Sequence, residues 1–352
     1  MAREDNAVTR TMTERLSPEQ RRIRNIMEKV EAFYLTTHND AEVKREIDVV
    51  VRGASRAAKD GHILLITAES QSGKSTMVNH YLDEHPSLVP FPIENDNTAY
   101  PLFKVTAPPD CTMAGLGREM AMRLGYQLHH RRGSEPSIFE KVRAQLQVQG
   151  TRLVVVNEIQ HVLDAPSIKG LRHFSDAFKN LLQEEDWPIH IIFIGLPEAK
   201  DMIKRDKKEQ LEARVIHLAL EPLSLIDHGE AIADMIEEVL AIAGLVSATP
   251  FTNEFLARLF HGARDRLGLI FKMLHFAIED ALDSGDTDVV IEHWEDAYMR
   301  LAKGGRNVFV EPEWQTIVRG VRSDGYLTTE EEEADRVASK GGAGASQKSG
   351  RR

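Results

Sequence analysis

Ile63-Leu-Leu-Ile-Thr67 followed by Ala68-Glu69-Ser70-Gln71-Ser72-Gly73-Lys74-Ser75-Thr76 is the stretch that decides the fold. Five apolar or β-branched residues read as a buried strand, and the segment after them matches the phosphate-loop pattern G-x-x-x-x-G-K-[ST] except that Ala68 stands at the first glycine. The chemistry explains the remaining residue types. Gly73 lets the backbone turn tightly, the amides opening the next helix point at an anion, Lys74 reaches the outer phosphates, and the Ser75 hydroxyl can ligate Mg²⁺. A methyl at position 68 is admissible where φ is negative. Residues 68–76 are therefore the candidate nucleotide-binding segment, and a strand–loop–helix unit of this kind belongs to an α/β fold.

Working outward, apolar runs at Leu102–Thr106, Leu153–Val156, Ile189–Ile194 and Val215–Leu220 alternate with helical patterns at Cys111–Leu124, Ser137–Gln149 and Ile168–Gln183. Such alternation predicts a parallel sheet with helices on both faces. Before the first strand, Ile23, Ile26, Met27, Val30 and Phe33, then Val43, Ile47, Val50 and Val51, recur at helical spacing. After Pro222 the strand signals stop and helices are expected at about 227–243, 252–263, 267–283 and 291–301. The expected organisation is a flexible arm over 1–20, N-terminal helices over 21–60, an α/β nucleotide-binding domain over 61–222, a helical lid over 223–310 and an extension over 311–352. The last contains the acidic run Glu330–Glu333 and, from Ser339, a Gly/Ser/Lys-rich tail that composition marks as disordered.

Composition narrows the function classes. Hydrophobic residues are 42% of the chain and charged residues 28%, an ordinary water-soluble balance, and no apolar stretch is long enough to span a bilayer. The N-terminus has no signal-peptide pattern and Cys111 is the single cysteine, so a reducing cytoplasmic setting is expected, with neither an internal disulfide nor a cysteine-built zinc site. His38, His80 and His85 show no metal-ligand spacing. The net charge of −11 excludes a uniformly basic surface but leaves room for a local basic track.

The second chemical landmark is Leu153-Val-Val-Val-Asn157-Glu158, an apolar strand ending in a polar pair. In nucleotide hydrolysis this place supplies an Asp for the metal shell and then a Glu that polarises water. Here Asn157 takes the first place: its amide oxygen still accepts a hydrogen bond but carries no charge. Glu158 stands as the candidate general base. The missing carboxylate is expected to weaken Mg²⁺ binding and slow hydrolysis. After Ile194, Gly195-Leu-Pro-Glu198 offers only Glu198 or backbone groups as a γ-phosphate sensor. Arg214, just before the last strand, is a candidate to reach a neighbouring subunit's γ-phosphate.

The order of phosphate loop, Val-Val-Val-Asn-Glu-Ile-Gln-His161, Phe193-Ile-Gly-Leu-Pro-Glu-Ala199, Arg214 and a helical lid resembles the AAA+ superfamily of P-loop NTPases. Within it, these segments, with Glu292-His-Trp-Glu-Asp-Ala-Tyr298 and Asn307-Val-Phe309, look like the TniB/TnsC ATPases of Tn7-like and Tn5053-like transposons. The resemblance spans roughly residues 20–310. It implies an ATPase that uses ATP and Mg²⁺ and assembles as a ring, spiral or filament around double-stranded DNA. It also implies recruitment of a transposase, with a TniQ-type protein setting where assembly starts. Carried over residue by residue, Lys74 and Ser75 match the phosphate and metal ligands, Glu158 the catalytic glutamate and Arg214 the arginine acting in trans. A nucleotide-sensing arginine is expected at the third lid helix, where Arg264 and Arg266 both stand and Arg266 is nearer the helix start. DNA contact is expected from Lys104, Thr112, Arg118, Arg123, Arg131 and Arg132, holding backbone by charge and shape. Two other readings fit the same nucleotide motifs: a helicase-loader or replication-initiation ATPase, and a nucleotide-gated scaffold with negligible hydrolysis.

Overall fold

The computed structural model describes residues 7–56, 61–94, 97–126, 135–163, 178, 181–182, 187–200, 214–322 and 324–345. The chain divides into two compact units. One comprises Thr37–Glu69 and Gly73–Glu221, the other Met1–Thr36, Ser70–Ser72 and Pro222–Arg352.

The first unit is built on a parallel sheet of β1 (Ile63–Thr67), β4 (Leu102–Thr106), β5 (Leu153–Asn157), β6 (His190–Gly195) and β7 (Val215–Ala219), in the order β4-β5-β6-β1-β7. A small antiparallel pair, β2 (Phe91–Pro92) and β3 (Thr98–Ala99), precedes β4. All five residues of β1 are buried. The reason lies in the period-two alternation of a strand covered on both faces. Leu64 and Ile66 pack on one side with Val43, Ile47 and Val50 of α3 (Asp40–Ala54) and with Met77, Val78 and Leu82 of α4 (Lys74–Asp83). Ile63 and Leu65 pack on the other with Leu116 and Met120 of α5 (Met113–Arg123) and Val142 and Leu146 of α6 (Glu135–Val148). Each such side chain contributes about 1.5–3 kcal/mol by leaving water, so the sheet's position is set before any polar group is considered. A single turn, α7 (Gln160–Leu163), follows β5.

The second unit is helical. Ser17 opens α2 (Pro18–Glu31) with a reciprocal capping box to Gln20, and Val30 joins the core formed by α8 (Leu225–Ala243), α9 (Asn253–Gly262), α10 (Leu267–Ser284) and α11 (Ile291–Ala302). Ser224 and Thr252 cap α8 and α9 at their N-termini, and Gly244 and Gly285 end α8 and α10 in the left-handed region. Trp294, Phe255 and Phe309 form the aromatic centre of this core.

Several expectations are corrected. Residues 7–15 of the supposed flexible arm form helix α1, with Ala7–Arg15 helical throughout. The helices grouped within 21–60 part between Thr36 and Thr37, α2 belonging with the helical unit and α3 with the sheet. Strand signal does not end at Pro222: β8 (Val246–Ser247) and β9 (Asp288–Val289) form a two-residue parallel pair, too short to register as an apolar run. The acidic run opens a helix, α12 (Glu330–Ala345), which continues through 339–345 where composition predicts disorder. Four carboxylates in its first turn favour the positive end of the helix dipole. Most of the helix expected at Ile168–Gln183 lies outside the described residues, but Phe178, Leu181 and Leu182 are buried in the core with α5 and α6.

Candidate functional site

The phosphate loop leaves the sheet at the C-terminal end of β1. Ala68 N–H donates to Gly195 O at 3.2 Å, and the Ala68 side chain is buried. Its φ is not positive, so the methyl brings no strain; the left-handed positions are Gln71 (φ 62°) and Gly73 (φ 87°). Gly73 is the N-cap of α4, whose first-turn amides have no helical acceptor. Lys74 is 5% exposed and its Nζ lies 3.3 Å from Glu69 O. The Ser72 hydroxyl is buried without a hydrogen-bond partner. Thr76 is exposed on the first turn of α4.

Across the sheet, Ser75 Oγ donates to Asn157 Oδ1 at 2.9 Å, so the loop and the end of β5 share one point of contact. The next residue, Glu158, takes a left-handed backbone conformation with φ 56°, and its side chain is part-buried. Its carboxylate accepts a hydrogen bond from Gln160 Nε2, while Gln160 Oε1 accepts from Leu196 N–H at 3.2 Å. Because the backbone N–H can only donate, the amide orientation of Gln160 is fixed by its partners. The sequence reading left Glu198 or a backbone group as the polar element after β6. Glu198 is exposed, and it is the Leu196 N–H that is engaged in this network.

Gln160 and Gly195 are the residues sequence reasoning passed over. The available signal was a polar side chain two residues after Glu158 inside an otherwise apolar segment, with a glycine at a buried strand end. A Cβ at Gly195 would lie 2.8 Å from Ile159 Cγ2 and 2.9 Å from Gln160 Oε1.

Of the two lid arginines, Arg266 is the N-cap of α10 and its Nη1 donates to Ser70 O at 3.1 Å, within the helical unit that includes Ser70–Ser72. Gly268 N–H donates to Gln71 O at 2.9 Å. Arg264 is exposed and has a left-handed backbone. Arg214 precedes β7 and is partly buried; β7 runs parallel to β1 with Val215 beside Ile63 and Ala219 beside Thr67. Arg214 is thus at the strand end opposite the phosphate loop of its own subunit, roughly 15 Å along the strands at about 3.3 Å per residue.

The candidate DNA residues are differently placed. Lys104 Nζ is held by Asn79 Oδ1 and Asp83 Oδ1, each at 2.7 Å, and Arg123 Nε by Glu119 at 2.6 Å. Thr112 caps α5 by accepting from Gly115 N–H, and Arg118 is partly buried on the same helix. Arg131 and Arg132 lie outside the described residues. Among the described residues no group of three His, Cys, Asp or Glu side chains could hold a metal ion, and no helix is long and apolar enough to cross a membrane. The residues that would hold a metal here are Ser75 and, beside it at 2.9 Å, Asn157, together with the nucleotide's own oxygens. The orphaned Ser72 hydroxyl, the buried Lys74 and the helix N-terminus at Gly73 fit a magnesium nucleotide.

Residues 57–203 match the family described as "AAA domain". Over those residues the chain is similar to an AAA ATPase domain. Solved structures similar to it include the Aeropyrum pernix ORC2 protein in ADPNP–ADP complexes, with TM-score 0.56 and 14% identity over 80% of this chain and 72% of that one. Cdc6p from Pyrobaculum aerophilum gives TM-score 0.55 and 13% identity over 77% of this chain and 69% of that one. The Aeropyrum pernix ORC1 protein in complex with DNA gives 0.56 and 17% over 76% and 66%. Likeness at this identity establishes the fold: an α/β AAA+ core on a parallel sheet with a C-terminal helical region. No curated protein sequence matches the chain. The specific resemblance to transposition ATPases is not carried by these structures.

Proposed function

We propose that the protein is a nucleotide-switched AAA+ assembly factor acting on double-stranded DNA, of the replication-initiation or helicase-loader kind. The observation that carries it is the Ser75–Asn157 contact, which brings the phosphate loop to the strand end bearing Glu158. Lys74 would neutralise charge building on the β- and γ-phosphates, and Ser75 would hold Mg²⁺ with Asn157 supporting the metal's shell. Bound Mg²⁺ supplies charge neutralisation and orientation of the phosphate oxygens. Glu158 takes a proton from water as the oxygen attacks the γ-phosphorus and the bond to the β-phosphate oxygen breaks, leaving ADP and phosphate. Arg266 fits a nucleotide-sensing role by its contact with Ser70, and Arg214, remote from its own loop, fits a role at a neighbour's γ-phosphate. The initiator reading is supported by the fold shared with the ORC and Cdc6 proteins, one of them in complex with DNA.

A second reading keeps the same ATPase but gives it to transposition, as a selector that recruits a transposase, with a TniQ-type protein directing it. It is favoured by Glu158-Ile-Gln-His161 and Gly195-Leu-Pro-Glu-Ala199. In both readings DNA and further copies of this chain are partners. The test is imaging of the protein with duplex DNA under ADP, ATP and a slowly hydrolysed analogue, together with phosphate release. DNA-centred oligomers with ATP that vanish with ADP are expected; a monomer under every condition overturns the proposal. Stimulation of phosphate release by a transposase from the same genome, rather than by a helicase, would move the assignment to the second reading.

A further inference from the structure

The Gly195–Leu196 peptide is gripped from both sides. Its carbonyl accepts from Ala68 N–H, the first residue of the phosphate loop, and its N–H donates to Gln160 Oε1, each at 3.2 Å. Gln160 then donates through Nε2 to Glu158 Oε2. Three successive hydrogen bonds therefore join the phosphate loop to the carboxylate at the end of β5. Gln160 is 5% exposed, and Ile159 beside it is fully buried, with its N–H donating to Ile194 O at 3.0 Å. Glu158 differs: it is only part-buried, and its backbone takes the left-handed conformation uncommon for a residue with a side chain.

We propose that Gln160 is a positioning residue for hydrolysis, holding Glu158 by one carboxylate oxygen so that the other is presented to the attacking water. The proposal rests on the reading of Glu158 as general base. The amide is suited to the task because it donates to a carboxylate and accepts from a backbone N–H at once, without adding charge beside Glu158. A neighbouring Gly195 gives it the room: any Cβ there would meet the Gln160 oxygen at 2.9 Å.

The plainer role for Gln160 is to satisfy the buried Leu196 N–H, and the two roles separate by variant. Gln160→Glu keeps an acceptor for Leu196 but offers Glu158 a carboxylate in place of a donor. Gln160→Ala removes both partners. With the full chain, duplex DNA and ATP, both variants should lose about ten- to a hundredfold in kcat, the scale of a misplaced reacting group. Their affinity for a fluorescent ATP analogue should stay within about threefold of the parent's, since binding to the loop is untouched. A Gln160→Glu protein that hydrolyses at the parent rate overturns the proposal, because satisfying Leu196 would then suffice. Equal loss of kcat and of analogue affinity overturns it too. Glu158→Gln is the companion measurement. If it hydrolyses as fast as the parent, the reading of Glu158 itself fails. If it is slow while both Gln160 variants are fast, only the positioning role fails. Adding Gln160→Ala to Glu158→Gln should cost no further rate, and a full additive loss would show that Gln160 does not act through Glu158.

Discussion

Ser75 Oγ donates its proton to Asn157 Oδ1 across 2.9 Å, so the partner that the phosphate loop meets at the end of β5 is a neutral amide. An amide oxygen accepts the same hydrogen bond, yet bonds to a charged acceptor are stronger by about 1 kcal/mol. Asn157→Asp should therefore lower the Mg²⁺ concentration for half-maximal phosphate release by about five- to tenfold, the equivalent of that difference. Turnover at limiting Mg²⁺ should rise with it. A magnesium titration that is unchanged, or a lower rate in a folded protein, would remove Asn157 from the metal's surroundings.

Gly195→Ala tests the crowding at the end of β6. The new methyl would sit 2.8 Å from Ile159 Cγ2 and 2.9 Å from Gln160 Oε1, closer than such atoms pack. Overpacking of this kind costs about 1–3 kcal/mol. The displaced atom belongs to the amide that holds Glu158, so kcat should fall further than nucleotide affinity does. Urea denaturation and single-turnover hydrolysis read the two effects separately. An unchanged midpoint with an unchanged rate would mean that the turn has slack.

How much of this was legible depended on the range of the interactions. The strand, loop and helix from Ile63 to Asp83 were readable because burial on both faces leaves an uninterrupted apolar run and the phosphate motif is local. Asn157 and Glu158 were readable for the same reason, as a polar pair closing an apolar strand. Gln160 was not, since its partners are Glu158 and Leu196, the latter on another strand's end, and pairing across a sheet leaves no periodicity. The parting of α2 from α3 was equally hidden: both are amphipathic, and the pattern says that a face is buried without saying against which core. At 339–345 composition misled, because small residues continued a helix that the preceding carboxylates had favoured.

His190 gives the sheet a pH dependence of definite sign. It is 1% exposed at the start of β6, its ring stacked on His62 at 5.7 Å, with His62 N–H donating to its Nδ1. Burial, with the adjacent His62 and Arg152, pulls its pKa down from 6.5 to about 4. Above pH 6.5 the ring is neutral in both states and folding is unaffected. As pH falls, the unfolded chain takes up the proton first, so stability is lost progressively until the folded pKa is reached. The loss is at most about 3 kcal/mol. Thermal midpoints between pH 7 and 4.5 should fall more steeply for the parent than for His190→Leu. Parallel curves would mean that the folded ring takes up its proton at the same pH as the unfolded chain, so that burial does not pull its pKa down.

Arg319 is 2% exposed and donates to four backbone carbonyls, from Nη1 to Ala302 at 3.4 Å and Thr328 at 3.1 Å, and from Nη2 to Gly304 at 2.9 Å and Arg306 at 3.2 Å. Glu330 Oε1 balances its charge at 3.6 Å, and Glu330 also pairs with Arg306. The segment after α11 is thus closed on itself by one guanidinium, at a place where Gly305 (φ 89°) would put any Cβ 2.6 Å from Arg319 Nη2. Arg319→Met preserves most of the volume but strands the buried carbonyls of Ala302 and Thr328 and the more exposed ones of Gly304 and Arg306, and should cost about 2–4 kcal/mol. Arg319→Lys should be nearly as damaging, because a single ammonium cannot reproduce the two diverging donors of the fork. Equilibrium urea denaturation of both variants measures this. A lysine variant as stable as the parent would show that charge alone, paired with Glu330, holds the segment, and that the fork geometry is incidental.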